Sequence, residues 1–300
     1  MRVLLAGASG AIGRYLIPQL FEAGHSVLGI TRHAGSLAGT GADELVADVS
    51  NRAKFLAVLG DARADAVVHQ LTALKRAPVR YRDMRPTNRL RHEGTSTLIA
   101  AARQCGATKL VAASIFYGYG FSDHGRRLVD ESFPFGEADG QNDAVQSALQ
   151  SLEQQVRAFG GVTLRYGLIY SPEAIAPSPI PVTWRGLLPM LHISDAAAAV
   201  VTSLATGKPG RAYNIADDVP MTYRAREKAL ADSAGLRAPI AIPDGLLRAT
   251  APFGSQLLTR TNIRMSTDRA RKELAWAPQF PSMEAALAVA RPASPRASVA

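Results

Sequence analysis

The sequence predicts an α/β fold built on a doubly wound parallel sheet, with a smaller C-terminal part. Three observations carry that expectation. Short continuous apolar runs alternate with helical stretches through the first half of the chain, the pattern of strands buried on both faces. A glycine triplet, GASGAIG, stands directly after the first run and opens the first helix. At 300 residues and 47% apolar, the chain is long enough to bury a full core.

The elements follow in order. VLLAG (3–7) is the first strand, and AIGRYLIPQLFEAG is a helix stopped at Gly24. SVLGIT (26–31) is the second strand. ELVADV (44–49) is the third, followed by a helix over NRAKFLAVLG. AVVHQLT (66–72) is the fourth, followed by a long helix near 88–104, and KLVAAS (109–114) is the fifth. The segment 115–142 is rich in Gly, Asp and Phe and reads as a loop. DAVQSALQSLEQ, from 143 to 154, opens a helix whose apolar stripe is Val145, Leu149, Leu152, Val156 and Phe159. VTLRYGLIY (162–170) is the sixth strand. The next twenty residues hold five prolines and must be largely irregular. SDAAAAVVTSLATG (194–207) is a helix with Ser194 as N-cap and Gly207 as stop. RAYNIAD (211–217) is a short strand and TYRAREKALADSAG a further helix. The tail at 291–300 is poor in apolar residues and is expected to fray.

Composition narrows the classes. The single cysteine, Cys105, excludes an intrachain disulfide and points to a reducing cytoplasm. The N-terminal apolar run is too short for a signal peptide, and no run reaches the roughly 18 apolar residues of a membrane helix. The net charge of +9 comes mainly from arginine, and one cluster is dense: Lys75, Arg76, Arg80, Arg82, Arg85, Arg89 and Arg91. No nucleic-acid motif accompanies it, so a solvated helix face is expected, with a local phosphate contact left open. No His/Cys/Asp spacing suggests a metal.

The glycine loop is the clearest chemical signal. Gly7, Gly10 and Gly13 permit a tight turn, a close backbone approach to a pyrophosphate and helix–strand packing, which is the Rossmann-like arrangement. Ser9, Ala11 and Ile12 fill the same loop, whose helix N-terminus offers free N–H groups to phosphate. An NAD site wants an acid about 20 residues further on. No Asp or Glu lies between Ala23 and Ala42, and the second strand ends Thr31-Arg32-His33. A guanidinium there suits a 2′-phosphate, so NADP(H) is expected over NAD(H). The alternative is a solvated Arg32 and a site that accepts either.

With these come ADVSN (47–51), AVVHQLTA (66–73), GTSTLIAAARQCGATKLVAAS (94–114), IFYG (115–118), DESFP (130–134), LRYGLIYSP (164–172), LHISDAAAAVV (191–201), YNIADD (213–218) and STDRARKELAWAPQFPSMEAAL (266–287). In this order, over nearly the whole chain, the series resembles an extended short-chain dehydrogenase/reductase of the NAD-dependent epimerase/dehydratase family. The resemblance implies that Asp48 and Val49 flank an adenine. It places Leu71, Thr72 and Ala73 on the nicotinamide side. It divides the chain into a nucleotide-binding part (1–165, with contributions near 192–217) and a smaller substrate-binding part (166–290). It implies a small-molecule substrate, and a homodimer through the helices after strands four and five.

The same resemblance exposes a break. Family members carry a Tyr-x-x-x-Lys pair on the helix after strand five, the tyrosine as acid–base group and the lysine as its activating cation. Counting back from Glu153, Val145 and Leu149 stand at those positions. No shift of register restores them: there is no Tyr from 120 to 165 and no Lys from 110 to 207. The serine that assists at the end of strand five aligns with Ala113, and Ser114 follows it. Replacement donors are Tyr117, then Ser114, then Tyr119. His69 reads as a core histidine, His124 as a surface one and His192 as structural, while Arg165 could contact a substrate anion or pack. Three functions stay open: an NADP(H)-dependent oxidoreductase or epimerase/dehydratase-like enzyme with a relocated donor, a non-redox dehydratase, isomerase or cyclase on the same scaffold, and a catalytically silent nucleotide sensor that binds a partner.

Overall fold

The structure, a computed structural model, describes residues 1–74, 76–137, 143–171 and 178–290. The expected fraying at 291–300 lies outside them. Seven strands form one sheet: β1 (Arg2–Ala6), β2 (Ser26–Thr31), β3 (Asp43–Val46), β4 (Ala66–His69), β5 (Lys109–Ile115), β6 (Val162–Tyr166) and β7 (Ala212–Ile215). Their order is β3-β2-β1-β4-β5-β6-β7, and every neighbouring pair is parallel. The order reverses between β1 and β4, which opens a crevice at the carboxyl ends of the strands.

Alternation along the strands sorts the core into two layers. Val3 and Leu5 of β1 pack with Leu16, Ile17 and Leu20 of helix α1 (Ala11–Glu22), and with Val200 and Leu204 of a C-terminal helix, Ile193–Thr206. Leu4 and Ala6 face the other way, onto α2 (Arg52–Leu59), the helical run 85–105 (α3) and α4 (Asp143–Phe159). A third apolar cluster joins the loop after β5 to the C-terminal half and includes Phe116, Tyr117, Val145, Leu149, Phe253 and Ile263. No helix among the described residues is long and apolar enough to cross a membrane.

Three local expectations need correction. The segment after β5 is not all loop, because Asp123–Val129 is a strand paired in parallel with Asn262–Met265. Only Val129 of that strand is buried, so no alternation betrays it in the sequence. The sixth strand is not continuous. It leaves the sheet at Gly167, where a Cβ would lie 2.9 Å from the carbonyl oxygens of Pro189 and Met190. Leu168–Tyr170 then pairs with Met190–His192. Ser194 is not the cap of its helix. His192 Nδ1 accepts the Ser194 N–H at 3.3 Å, and the Ser194 hydroxyl instead meets Gln19 Nε2 at 3.2 Å.

Asp217, just past β7, is buried and accepts from the Tyr170 hydroxyl at 2.8 Å and the His192 N–H at 3.1 Å. Burial outweighs both bonds and pushes its carboxyl up to about 7. An unfolded Asp releases its proton near pH 4, at about 3.9. Between roughly pH 4 and pH 7 the folded state therefore holds a proton that the unfolded chain has lost, and stability falls as pH rises. Asp217→Asn should remove this slope. Its urea midpoint is expected to gain on that of the wild type by about 2–3 kcal/mol equivalent from pH 5 to pH 8. His69, held near 4 by burial, works in the opposite direction but is present in both proteins. Parallel pH profiles for the two proteins would refute the assignment.

Candidate active site

A cleft of about 1280 Å³ runs across the carboxyl ends of β1, β2, β4 and β5 into the C-terminal half. A single small ligand usually fills about 300–1,000 Å³, so the space suits a nucleotide and a second molecule.

Its first part is built by the glycine loop. Gly7 adopts φ +93°, and a Cβ there would lie 2.7 Å from the Gln70 carbonyl oxygen. At Gly13 a Cβ would meet the Ala8 carbonyl oxygen at 2.2 Å. Both positions are closed to any other residue without backbone movement. The α1 N-terminus carries no side-chain cap and no acid in its first turn, so its N–H groups and positive dipole end are unclaimed by side chains. Such a cradle fits a pyrophosphate. Gly7, Ser9, Gly10, Ala11 and Ile12 line it, and Gly13 packs beneath.

Thr31, Arg32, Asp48, Val49, Leu71, Thr72 and Ala73 line the same cleft. The structure thus brings together every residue expected at the nucleotide except the buried Gly13. One acid near the second strand escapes a linear search because it comes from β3. Glu44 accepts from the Thr31 hydroxyl at 3.0 Å and from the N–H groups of Gly35 at 2.7 Å and Leu37 at 3.2 Å. The Gly35 N–H leads in holding this carboxyl below its ordinary range. Glu44 is therefore committed to the loop after β2, while Arg32 stands exposed on the cleft wall.

The two residues expected at the acid–base positions lie elsewhere. Val145 is 2% exposed and Leu149 fully buried. Both pack in the cluster of Phe116 and Tyr117, behind the cleft wall. Ser114 is not brought to the cleft. Its hydroxyl donates to Glu153 Oε1 at 2.8 Å, and Glu153 also takes the Arg165 guanidinium at 2.7 Å. The strand alternates, so Ser114 points toward α4 while Ile115 lines the cleft. Arg165 is spent on this buried pair and on the Tyr119 hydroxyl, at 2.8 Å. Tyr119 in turn donates to Asn214 Oδ1 at 2.7 Å. Of the expected donors, only Tyr117 lines the cleft. Burial pushes its hydroxyl up to about 12, against the nearby charges of Arg91 and Arg226. His69 is a satisfied core residue, its ring nitrogens bonded to the Thr95 hydroxyl and the Leu71 N–H, both at 3.2 Å. His124 lies on the Asp123–Val129 strand, 3.3 Å from the Ser122 hydroxyl.

The far end of the cleft was not legible in advance. It is walled by Leu168, Tyr223, Leu230, Phe253 and Leu257, with Arg226 among them. The Arg-rich segment is also not simply a solvated face. Arg76, Arg85 and Arg89 line the cleft, and Arg91 is buried. Lys75 lies outside the described residues.

The fold is shared with known proteins. The family model for the NAD dependent epimerase/dehydratase family matches residues 3–216. The chain is 34% identical over 305 residues to a 3-diazoavenalumate denitrifying reductase from Streptomyces sp, covering 94% of this chain and 97% of that protein. It is 25% identical over 316 residues to a 4-hydroxy-2-methyl-3-oxo-4-farnesyl-3,4-dihydroquinoline-1-oxide ketoreductase from Stigmatella aurantiaca, covering 92% of each. Among solved structures, a UDP-glucose 4-epimerase from Thermus thermophilus in complex with NAD superposes with a TM-score of 0.77 at 20% identity, covering 97% of this chain and 98% of that one. A human epimerase family protein with NADPH gives 0.75 at 20% identity, covering 96% and 98%.

Proposed function

The chain belongs to the NAD-dependent epimerase/dehydratase family, and we propose that it is an NADPH-dependent reductase whose substrate takes up hydride without a proton from the protein. The observation that carries this is the apolar occupation of the acid–base positions: Ala113, Val145 and Leu149 stand where the family's proton machinery is expected. An arenediazonium compound is such a substrate, and the Streptomyces relative is named for a diazo substrate and the loss of its nitrogen. When bound in the cleft, NADPH supplies a hydride; a diazonium that accepts it releases N₂ and leaves the arene, so hydrogen and both electrons come from that one hydride and no proton enters.

The chain's own residues then have limited tasks. The glycine loop and the N-terminus of α1 would hold the phosphates, and Arg32 would supply the positive charge for a 2′-phosphate. Ile115, Leu168 and Ile169 present an apolar wall, which keeps water from an electrophile that it would destroy. Tyr117 contributes a neutral hydroxyl, since its position near 12 keeps it protonated at physiological pH.

The test is turnover of a benzenediazonium salt with nicotinamide-deuterated NADPH. Protein-dependent deuterium in the arene, above the uncatalysed rate, is the expected result. Absence of protein-dependent NADPH oxidation on diazonium and carbonyl compounds alike would sink the reading. Tyr117 favours one second reading, carbonyl reduction with this hydroxyl as donor, because it is the one expected donor that reaches the cleft. Tyr117→Phe separates the two. Reduction of benzenediazonium, which carries no other group for the hydroxyl to hold, is expected to stay within about threefold of wild type, whereas loss of a general acid costs roughly 100-fold or more.

A further inference from the structure

Charge at the far end of the cleft is unbalanced. The Arg226 side chain is 14% exposed and lines the cleft. Its Nη1 is given to Glu227, and its Nε is buried with no acceptor among the described residues. Glu227 is fully committed, because its other oxygen accepts the Ser178 N–H at 2.6 Å. Arg91 is 9% exposed and donates to a neutral acceptor, Asn88 Oδ1, at 3.1 Å. No carboxylate among the described residues forms an ion pair with it. Burial holds Arg91 at about 10, so it stays charged at neutral pH. Both guanidinium groups act electrostatically on the Tyr117 hydroxyl. Among the described residues, two cations against one anion leave a single positive charge uncompensated beside that hydroxyl.

The surroundings are aromatic. Tyr117 meets Phe253 edge-on with ring centroids 6.4 Å apart, and the Arg226 guanidinium carbon lies 5.7 Å from the Tyr223 ring centroid. An uncompensated buried cation among apolar walls is costly and is relieved by an anion that enters with an apolar body. A monoanion balances the charge, while a phosphate dianion would overshoot it in a region with little to solvate the excess. The planar guanidinium fork matches a carboxylate. Arg76, Arg85 and Arg89 are exposed, so solvent and salt screen them and they do not set this choice.

Building on the reductase reading above, we propose that the substrate is an aromatic carboxylic acid, anchored by its carboxylate at Arg226 and the Tyr117 hydroxyl, with its ring among Tyr117, Tyr223 and Phe253. Arg226 is then a specificity residue, and Arg91 supplies field from behind the wall.

The test uses an unreactive pair of equal shape, cinnamate and cinnamamide, titrated calorimetrically into the protein with and without NADP⁺. Cinnamate is expected to bind at least tenfold tighter than cinnamamide. Arg226→Gln should reduce that preference to within about threefold while leaving the Kd for NADP⁺ unchanged. Arg226→Lys, which keeps a cation beside the buried Glu227 and so guards the fold, should fall between. Equal affinity for the acid and the amide, binding of neither, or a preference that survives both substitutions would overturn the proposal. A preserved acid preference in a protein that fails to bind NADP⁺ would instead uphold the carboxylate site and reject the reductase reading.

Discussion

Arg32→Glu is expected to lower kcat/KM with NADPH by roughly 100-fold while leaving NADH within about threefold of wild type. The side chain directly follows β2 and stands exposed on the cleft wall. A charge-assisted hydrogen bond to phosphate contributes about 1.5–3 kcal/mol, or roughly 10- to 150-fold, and solvent exposure places the real value low in that range. Reversal adds repulsion against a dianionic phosphate. The new carboxylate would also stand where NAD-binding members of this fold accept the ribose hydroxyl, so NADH need not suffer. Glu44 does not already fill that role, because its oxygens are taken by the Thr31 hydroxyl and the Gly35 and Leu37 N–H groups. The NADPH/NADH ratio, measured at two salt concentrations, checks this. The effect should shrink as salt rises, and an unchanged ratio in the variant would reject Arg32 as the selector.

What could be read from the residues follows from where each signal lies. β1, β2, β4 and β5 carry their evidence locally, as apolar runs buried on both faces, and the glycine loop carries it in three backbone positions whose spacing is fixed by the turn. The direction of Ser114 could not be read, since it depends on Glu153, 39 residues away, and on the guanidinium that holds Glu153 in place. The same holds for the cap of the Ile193–Thr206 helix. A serine is the ordinary N-cap, but here the hydroxyl is drawn to Gln19, 175 residues away, and His192 takes its place. The far wall of the cleft comes from Tyr223, Arg226 and Phe253, which share no motif. Only tertiary packing assembles them, so their chemistry was invisible in the linear text. The residue inventory is the opposite case: that 120–165 holds no Tyr and 110–207 no Lys is read without any alignment.

Reinstating the lysine alone, Leu149→Lys, is expected to destabilise the protein by about 3–5 kcal/mol at pH 7. Leu149 is fully buried among Met84, Phe116, Val145 and other apolar side chains. Glu153, one turn further along α4, is already held by the Arg165 guanidinium and the Ser114 hydroxyl, and the neighbouring helical run α3 contributes a buried cation, Arg91, so an ammonium here would find no carboxylate free among the described residues. The lysine would lose its proton on folding, and its folded pKa would lie below the unfolded value of about 10.4. The unfolded chain then binds more protons in the interval between the two values, so the variant regains stability as pH rises through it, by about 1.4 kcal/mol per pH unit. Urea unfolding of wild type and variant from pH 6 to pH 10 tests this, with the gap expected to narrow steadily. A cleft-facing slot at 149, left over from a lysine, would give another result. The ammonium would reach solvent, the penalty would stay within about 1 kcal/mol as for ordinary surface changes, and the gap would not respond to pH. The first outcome makes the apolar stripe of α4 a packed wall that excludes proton chemistry, in keeping with hydride transfer to a substrate that needs no proton; the second would reopen the position to catalysis and, with it, the search for a donor beyond Tyr117.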